Sequence, residues 1–421
     1  MQAFTMRGNQ LYCENVPVKT IVQEHGTPLF IYSEKTFTDN FTALDRAFSA
    51  VPHLICYSVK TNSNISVLKL LASLGAGFDI VSAGELCRVV KAGGSASRVV
   101  FAGVGKTAAE IDYALNQDIY TFTVESESEL ERISQRALKK GVSARIAIRV
   151  NPDVDPQTHT YISTGKKENK FGLDITRAKQ AYRLAMKLPG ISPIGVQMHI
   201  GSQILTGTPY AEALEKMVPL IRELQNNGVP LEYFDIGGGL GIIYDNESPQ
   251  TPEQFASVVI PHVKNLGLTV LMEPGRFIAG NAGILVTKLE YVKKSGDKTF
   301  YIVDAAMNDL IRPSLYNAYH KIVPVEQKNG TKHITVDVVG PICESGDFFA
   351  KDRTLQASQE NDLLAILSAG AYGFTMSSNY NTRPRPAEIM VTDTTFRIVR
   401  ERETIDDLLS RELTCCAEYA R

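Results

Sequence analysis

Residues 54–60 read LICYSVK, a short apolar run with β-branched residues that precedes a polar turn and a segment of helical periodicity. Seven further runs of this kind follow it, at 78–82, 98–103, 120–126, 145–151, 195–201, 233–239 and 269–275. Between them, segments such as SELERISQRALKKG (128–141) place apolar residues at helical spacing and end at glycine. Eight alternating strand and helix units predict parallel pairing in a closed (β/α)8 barrel of the TIM type, and hence an α/β fold.

An open, doubly wound sheet is the alternative architecture for alternating strands and helices. That fold usually shows G-x-G-x-x-G after its first strand, whereas the first run here ends in VKTN, residues 59–62. We therefore favour the barrel, whose functional residues lie at the C-terminal ends of the strands. The longest loop expected there, 151–172, follows the fifth strand, and loops of about 20 residues are often functional lids.

The pattern changes after about residue 280. Strand-like segments then follow one another, and several show partial period-two alternation, as expected for antiparallel strands. They lie at 283–294, 298–306, 333–340, 362–370 and 387–403. These predict a C-terminal all-β domain with a sandwich or barrel-like form. The run GTPLFIYS, residues 26–33, fits either domain. We assign 36–278 to the barrel, and 1–35 with 279–421 to the β domain.

Charge and cysteine content narrow the class of protein. The 421 residues include 44 basic and 46 acidic side chains, so no basic excess indicates binding to nucleic acid or to an anionic membrane. No run approaches the roughly 20 apolar residues of a membrane span, and the N-terminus lacks a signal-peptide pattern. The six scattered cysteines indicate neither a disulfide framework nor a metal site. We expect a cytoplasmic small-molecule enzyme, in which the cysteines other than Cys343 have packing roles.

Four features at the predicted strand ends indicate chemistry, and each has an ordinary alternative. Lys60 could form a Schiff base if partly desolvated, or could be a strand-end lysine in water. The glycines in GGGLG, residues 237–241, could bind phosphate through backbone N–H groups, or form a tight turn. His199 could cover a planar cofactor or lie in the core. Glu273 could hold a proton on a heterocyclic nitrogen, with Arg276 available to a carboxylate, or the two could pair at the surface.

Together these motifs resemble the pyridoxal-phosphate enzymes of the alanine racemase-like, fold-type III group, and within it the diaminopimelate decarboxylases. The broader group shares four of them, YSVKTN (57–62), HIGS (199–202), GGG (237–239) and EPGR (273–276). Three more are similar to diaminopimelate decarboxylases in particular, RPSLYNAYH (312–320), CESGDFFA (343–350) and SAGAYGFTMSSNYNTRPRP (368–386). The resemblance covers nearly the whole chain, with no departure at a motif position.

The resemblance implies pyridoxal 5'-phosphate (PLP) as the cofactor, and no metal. Lys60 would form the internal aldimine, His199 would stack on the ring, and Glu273 would pair with the pyridine nitrogen. The remaining contacts, mostly to the phosphate, would come from Ser202, Gly238, Gly239, Gly275, Arg276 and Tyr372.

The implied reaction is decarboxylation of meso-2,6-diaminopimelate to L-lysine and CO₂, the final step of lysine biosynthesis by the diaminopimelate pathway. The non-reacting end of this substrate carries a carboxylate and an ammonium group. The substrate contacts would come from Arg276, Arg312, Tyr316 and Tyr372 for the carboxylate, and Glu344 for the ammonium. Cys343 would donate the proton that replaces CO₂. In the family, Cys343 and Glu344 belong to the partner's β domain, which implies a homodimer with shared active sites.

Two other functions are alternatives to this one. A related decarboxylase of ornithine or arginine has no distal carboxylate to bind, so Arg312 and the CESGD motif argue against it; they argue less strongly against a carboxyspermidine-like substrate. A non-catalytic PLP-binding homologue would be expected to lack Lys60 or Cys343, and both are present.

Overall fold

The computed structural model describes residues 3–155 and 170–419, the last four by their backbone alone, and the chain divides into two compact units. The barrel unit comprises Thr38–Ile243 and Glu247–Ile278. The β unit comprises the residues up to Phe37, the segment Tyr244–Asn246 and the chain from Ala279 onward. Most of the loop predicted over 151–172, residues 156–169, lies outside the described part.

Five short elements of the β unit open the chain. They are β1 (Phe4–Arg7), β2 (Gln10–Cys13), β3 (Val16–Pro17), α1 (Val18–His25) and β4 (Leu29–Ser33). The first three strands form a small antiparallel sheet, whereas β4 is a central strand of the large sheet described below. The run 26–33, which fits either domain by sequence, therefore forms part of the β unit.

The barrel is closed and wholly parallel, and each strand pairs with the next along the chain. Its strands are β5 (His53–Ser58), β6 (Gly77–Ile80), β7 (Val99–Phe101), β8 (Thr121–Val124), β9 (Ala144–Arg149), β10 (Ile191–Gln197), β11 (Tyr233–Asp235) and β12 (Thr269–Met272). Pairing of Val270 with His53 joins β12 to β5 and closes the ring. All eight predicted strands are confirmed, but each ends two to four residues before the predicted run does.

Side chains fill the barrel interior instead of leaving a pore. A buried layer contains Cys56, Val100, Ala147, Ile194, Tyr233 and Leu271. Tyr233 occupies the space left by Gly195 on the neighbouring strand, where an added Cβ would lie 2.1 Å from the tyrosine ring. Its hydroxyl is satisfied by donating to Thr121 Oγ1 at 2.9 Å, as burial of a phenol requires.

Helices separate the strands of the barrel, and polar caps define where several of them begin. They are α2 (Glu34–Ala47), α3 (Ile65–Ser73), α4 (Ala83–Lys91), α5 (Ala108–Asn116), α6 (Glu127–Lys140), α7 (Ile175–Ala185), α8 (Thr208–Asn226) and α9 (Pro252–Val263), with the short α10 (Arg276–Ala279) after the last strand. Thr107 and Thr251 form reciprocal capping boxes with Glu110 and Gln254. Each cap satisfies backbone N–H groups that the first helical turn cannot pair internally.

The rest of the β unit is a mixed sheet with two helices. Its elements are β13 (Gly283–Ser295), β14 (Lys298–Val303), α11 (Arg312–Tyr316), β15 (Ile322–Pro324), β16 (His333–Val339), β17 (Phe348–Gln356), β18 (Leu363–Ile366), β19 (Ala387–Thr392), β20 (Thr395–Arg400) and α12 (Ile405–Tyr419). The strand order is β17-β16-β14-β13-β4-β19-β20, and β18 pairs with both β13 and β15.

Three points of the sequence analysis need correction. The pairing is not wholly antiparallel, because β14 runs parallel to β16 and the N-terminal strand β4 lies parallel to β19. The sequence also missed β15 and β17. The packing role expected of the spare cysteines fails for Cys415, which is exposed on α12, whereas Cys13 and Cys56 are buried. The side chain of Cys416 lies outside the described residues.

Candidate active site

The predicted cofactor lysine lies at the C-terminal end of the barrel strands. Strand β5 ends at Ser58, and Lys60 follows on a single 3₁₀ turn, Val59–Thr61, instead of ending the strand as predicted. Its Nζ lies 2.8 Å from Oδ2 of Asp79, which immediately precedes the last residue of β6. The lysine side chain is 42% exposed and the aspartate is fully buried, so a buried anion fixes an amine that remains open to solvent.

A second buried acid pair lies on neighbouring strands. Asp235 ends β11, and Glu273 follows β12 directly. Asp235 accepts a hydrogen bond from the Gly237 N–H at 2.8 Å, and Glu273 Oε2 accepts one from Gln197 Nε2 at 3.2 Å. Burial raises the pKa of both carboxyls. The neighbouring Asp235 raises that of Glu273 further, whereas the side chain of Glu273 lowers that of Asp235. Two such acids cannot both ionise readily, so the pair retains a proton where ordinary carboxyls have lost theirs.

Glu273 keeps one oxygen available for a ligand. Its Oε1 is buried and has no hydrogen-bond partner within the described residues. An unpaired buried acceptor is costly, whereas a donor such as a protonated ring nitrogen would satisfy it. This feature fits the pyridine nitrogen of the cofactor that the sequence predicts.

His199 is held as a neutral ring beside the glycine run. Its Nδ1 lies 3.2 Å from the N–H of Gly238, which can only donate, so the ring proton belongs on Nε2. Burial, with the charges of Arg149 and Lys60, lowers the pKa of His199 well below its ordinary value. An uncharged ring suits stacking on a planar group. The Gly238 amide is engaged in orienting His199.

The glycines here permit close approach of three backbone segments. A Cβ on Gly238 would lie 2.1 Å from the Glu273 carbonyl oxygen, and one on Gly239 would lie 2.5 Å from that of Gly201. Gly239 also has φ +115°, a conformation that L side chains rarely adopt. On Gly275 the added atom would lie 2.1 Å from Thr61 Oγ1. Side chains at these positions would clash, so glycine is required there. Close approach of bare backbone is also what a group of N–H donors around an anion requires.

The last barrel elements bring two further predicted residues together. Arg276 is buried at the start of α10, and its Nη2 lies 3.2 Å from Ser202 Oγ. The barrel unit thus gathers at one end every cofactor residue that was predicted within it. They are Lys60, His199, Ser202, Gly238, Gly239, Glu273, Gly275 and Arg276.

The remaining predicted residues belong to the β unit. Arg312 is buried at the start of α11, and Tyr316 ends that helix half-buried. Cys343 and Glu344 are exposed on the turn between β16 and β17. Tyr372 is half-buried with φ +55°, a strained conformation for a non-glycine residue that is often found at functional sites.

Polar groups to which the sequence analysis gave no role shape the Cys343 turn. Asp347 accepts hydrogen bonds from the N–H groups of Ile342 and Met307, both at 2.7 Å. The Cys343 N–H donates to Asn381 Oδ1 at 3.0 Å. Ser314 on α11 donates to the Gly346 carbonyl at 2.5 Å, which joins the turn to the helix that carries Arg312.

The described part of the chain holds no cluster of His, Cys, Asp and Glu suited to a metal ion. Nor does any helix in 3–155 or 170–419 combine the length and apolar character that a bilayer span requires.

Known proteins resemble the chain over almost its full length. The family model for the pyridoxal binding domain of pyridoxal-dependent decarboxylases matches residues 34–280. A diaminopimelate decarboxylase from Vibrio cholerae is 50% identical over 404 residues, which cover 96% of each chain. A crystal structure of diaminopimelate decarboxylase from Helicobacter pylori with L-lysine superimposes with a TM-score of 0.91, at 42% identity, covering 94% of this chain and 99% of that one. A structure from Aquifex aeolicus reaches 0.92 at 46% identity and 98% coverage of both chains.

Proposed function

Since the chain belongs to the pyridoxal-dependent decarboxylases, and within them to the diaminopimelate decarboxylases, we propose how its residues divide the work of the reaction. The enzyme converts meso-2,6-diaminopimelate to L-lysine and CO₂, the final step of lysine biosynthesis by the diaminopimelate pathway, with PLP as its cofactor. The observation that carries the residue assignment is the buried Glu273 oxygen, which has no hydrogen-bond partner in the described part of the chain and lies at the same strand ends as Lys60 and the glycine run.

The barrel unit would hold the cofactor. Lys60 Nζ would bind its aldehyde carbon, and His199 would cover the ring as a neutral imidazole. Glu273 would face the ring nitrogen and keep that nitrogen protonated by accepting a hydrogen bond from its N–H. When bound, the cofactor supplies a sink for the electrons released as CO₂ departs.

The phosphate would be bound by side chains and by backbone N–H groups. Ser202 would bind it through its hydroxyl, which the Arg276 guanidinium already contacts and orients, and Arg276 would contribute its backbone N–H. Gly239 and Gly275 would offer their amides. Gly238, whose own amide is engaged by His199, would contribute by allowing the close backbone approach of the run. The Tyr372 hydroxyl would complete the contacts.

Cys343 would supply the proton that the reaction needs. Loss of CO₂ leaves an electron pair on the α-carbon, and that carbon must gain one proton for each CO₂ released. The Cys343 thiol is exposed, so it can give its proton to the α-carbon and recover one from water. The hydrogen bonds of Asp347 and Asn381 fix the turn that carries the thiol.

The distal end of the substrate would be recognised by its two charges. Arg312 would bind the carboxylate, aided by Arg276, Tyr316 and Tyr372, and Glu344 would bind the ammonium group. Diamino acids without a distal carboxylate cannot use Arg312, which favours meso-diaminopimelate over ornithine.

We also propose that two copies share their active sites, with Cys343 and Glu344 acting across a homodimer. Free thiols, including the buried Cys13 and Cys56, support residence in the reducing cytoplasm.

Subunit mixing tests both the dimer and the two catalytic assignments. Lys60→Ala and Cys343→Ala should each be nearly inactive on their own. After unfolding and refolding together in equal amounts, half of the dimers are mixed and hold one intact site, so about a quarter of wild-type CO₂ release should return. Activity that stays at the level of the single variants would contradict shared sites.

A substrate panel tests specificity. CO₂ release should be far faster from meso-diaminopimelate than from ornithine, arginine or carboxyspermidine. Comparable release from ornithine would contradict the role given to Arg312.

A further inference from the structure

We propose that His320 is a positioning residue that fixes the guanidinium of Arg312 and so determines recognition of the distal carboxylate of the substrate. The proposal rests on the carboxylate-binding role proposed above for Arg312. His320 is fully buried in the β unit. Its Nε2 lies 2.8 Å from Arg312 Nη1, and its Nδ1 lies 2.8 Å from the carbonyl oxygen of Leu367.

These two partners determine the tautomer of the ring. A carbonyl oxygen only accepts hydrogen bonds, so Nδ1 of His320 must carry a proton and donate it to Leu367. A guanidinium only donates, so Nε2 must present its lone pair to Arg312. His320 is therefore a neutral imidazole that accepts from Arg312.

A neutral acceptor is the useful partner for this arginine. A buried aspartate or glutamate in its place would form an ion pair with Arg312 and cancel the charge that a substrate carboxylate needs. The imidazole holds one N–H of the fork and leaves the full positive charge in place. That charge is what a substrate carboxylate would bind.

An aromatic ring restrains the guanidinium from a second direction. The Arg312 Cζ lies 4.8 Å from the centre of the Tyr244 ring, at a distance suited to a cation–π contact. The same tyrosine meets the His320 ring edge-to-face, with the centres 5.4 Å apart. Arginine, histidine and tyrosine thus pack as one unit.

The backbone anchors His320 to the large sheet of the β unit. Arg353 donates to the His320 carbonyl at 2.9 Å, and the Leu367 N–H donates to the Lys321 carbonyl at 2.8 Å. Leu367 directly follows β18. The position of the ring is therefore set by the sheet, and the ring transmits that position to Arg312.

Two matched variants separate the two ends of the imidazole. His320→Gln places an amide oxygen where Nε2 was and retains an acceptor for Arg312. His320→Asn places its amide near Nδ1, so it retains the contact with Leu367 and loses the one with Arg312. Both are polar and smaller than or similar to histidine, so they perturb the packing to a comparable degree.

The holoenzyme variants are assayed for KM and kcat with meso-diaminopimelate, and for inhibition by L-lysine and by 1,5-diaminopentane. His320→Asn should raise KM and the L-lysine inhibition constant roughly 10-fold, since hydrogen bonds to charged groups are the stronger kind. Its kcat should change much less. Inhibition by diaminopentane, which has no carboxylate, should not change. His320→Gln should recover most of the loss.

Several outcomes overturn the proposal. One is that His320→Asn and His320→Gln change KM for meso-diaminopimelate equally. Another is that His320→Asn weakens inhibition by diaminopentane as much as inhibition by L-lysine. The third is that Arg312→Gln binds L-lysine as tightly as the wild type does. In contrast, a wild-type enzyme that releases no CO₂ from meso-diaminopimelate contradicts the proposed function itself.

A measurement on the wild-type holoenzyme does not depend on the activity of any variant. Nitrogen-15 NMR of histidine-labelled protein, assigned by the signal missing in His320→Gln, reports the tautomer. The proposal expects a neutral ring with the proton on Nδ1. A ring protonated at Nε2, alone or together with Nδ1, overturns it.

Discussion

Asp347→Ala is expected to separate the function of the β unit from that of the barrel. Asp347 is 4% exposed and accepts from two backbone N–H groups, those of Ile342 and Met307. Removal of the carboxylate leaves both donors without that acceptor. A buried donor without a partner costs about 1–3 kcal/mol, and the Met307 amide is only part-buried, so the loss should be about 2–4 kcal/mol in total. That is a large share of the stability of a typical domain.

The same change should move the catalytic turn without disturbing the cofactor site. Cys343 would lose the anchor next to it in the chain, so CO₂ release should fall at least 10-fold, because small displacements of a proton donor cost rate steeply. The lysine–cofactor absorbance band should remain, since Lys60 and Glu273 belong to the barrel unit. Urea unfolding, the visible spectrum and CO₂ release measure the three effects, with the exposed Asp297→Ala as the control. Full activity in Asp347→Ala at wild-type stability would refute this account of the turn.

Three further outcomes concern the barrel. Lys60→Ala should abolish the cofactor band and its fixation by borohydride, and label found on another lysine would contradict the assignment. Gly238→Ala should lose cofactor affinity, because its Cβ would lie 2.1 Å from the Glu273 carbonyl oxygen. The control is Gly105→Ala, whose Cβ would meet nothing within 4 Å and which should bind the cofactor normally. Equal cofactor spectra of the two variants would refute the argument from crowding. Burial raises the folded pKa of Asp235, so its contribution to apoenzyme stability is full below about pH 4 and is lost as the pH rises. In Asp235→Asn, the midpoint of urea unfolding should therefore decline less steeply with rising pH than in the wild type. An unchanged slope would contradict this role of Asp235.

The barrel could be predicted because its information is local. Each parallel strand is buried on both faces and therefore forms a continuous apolar run, which a short window of sequence reveals. The predicted runs overshot the strand ends for a physical reason. Residues such as Lys60, which follows Ser58 on a 3₁₀ turn, lie beyond the last ladder hydrogen bond, and nothing in their residue types marks the place where pairing stops.

The polar contacts behind the predicted site residues could not be found in this way. Gln197, Asp235 and Glu273 are separated from one another by nearly 40 residues in sequence, and they meet because the parallel pairing of β10, β11 and β12 aligns their strand ends. The hydrogen bond between Arg312 and His320 depends on β18, because Leu367, the residue that follows this strand, accepts a hydrogen bond from the His320 ring. The insertion of β4 between β13 and β19 likewise joins segments from opposite ends of the chain. The motif residues could be identified because polar or charged residue types are unusual at the ends of buried strands. The residues that hydrogen-bond to them are of common types, and only long-range strand pairing brings them into contact.

Three buried acids at the C-terminal ends of the barrel strands show why residues of this kind are retained although they lower the stability of the cofactor-free protein. Asp79, Asp235 and Glu273 each keep a buried oxygen without a hydrogen-bond partner within the described residues. At about 1–3 kcal/mol for each buried acceptor, this arrangement opposes folding. A sequence selected for stability alone would replace these acids with apolar side chains. A ligand that offers a cationic nitrogen at Glu273 offsets part of that cost on binding, and a ligand that binds only the folded state stabilises it further in proportion to its affinity. The stability gap between the cofactor-free and cofactor-bound enzyme is therefore a property of these three side chains as much as of the cofactor.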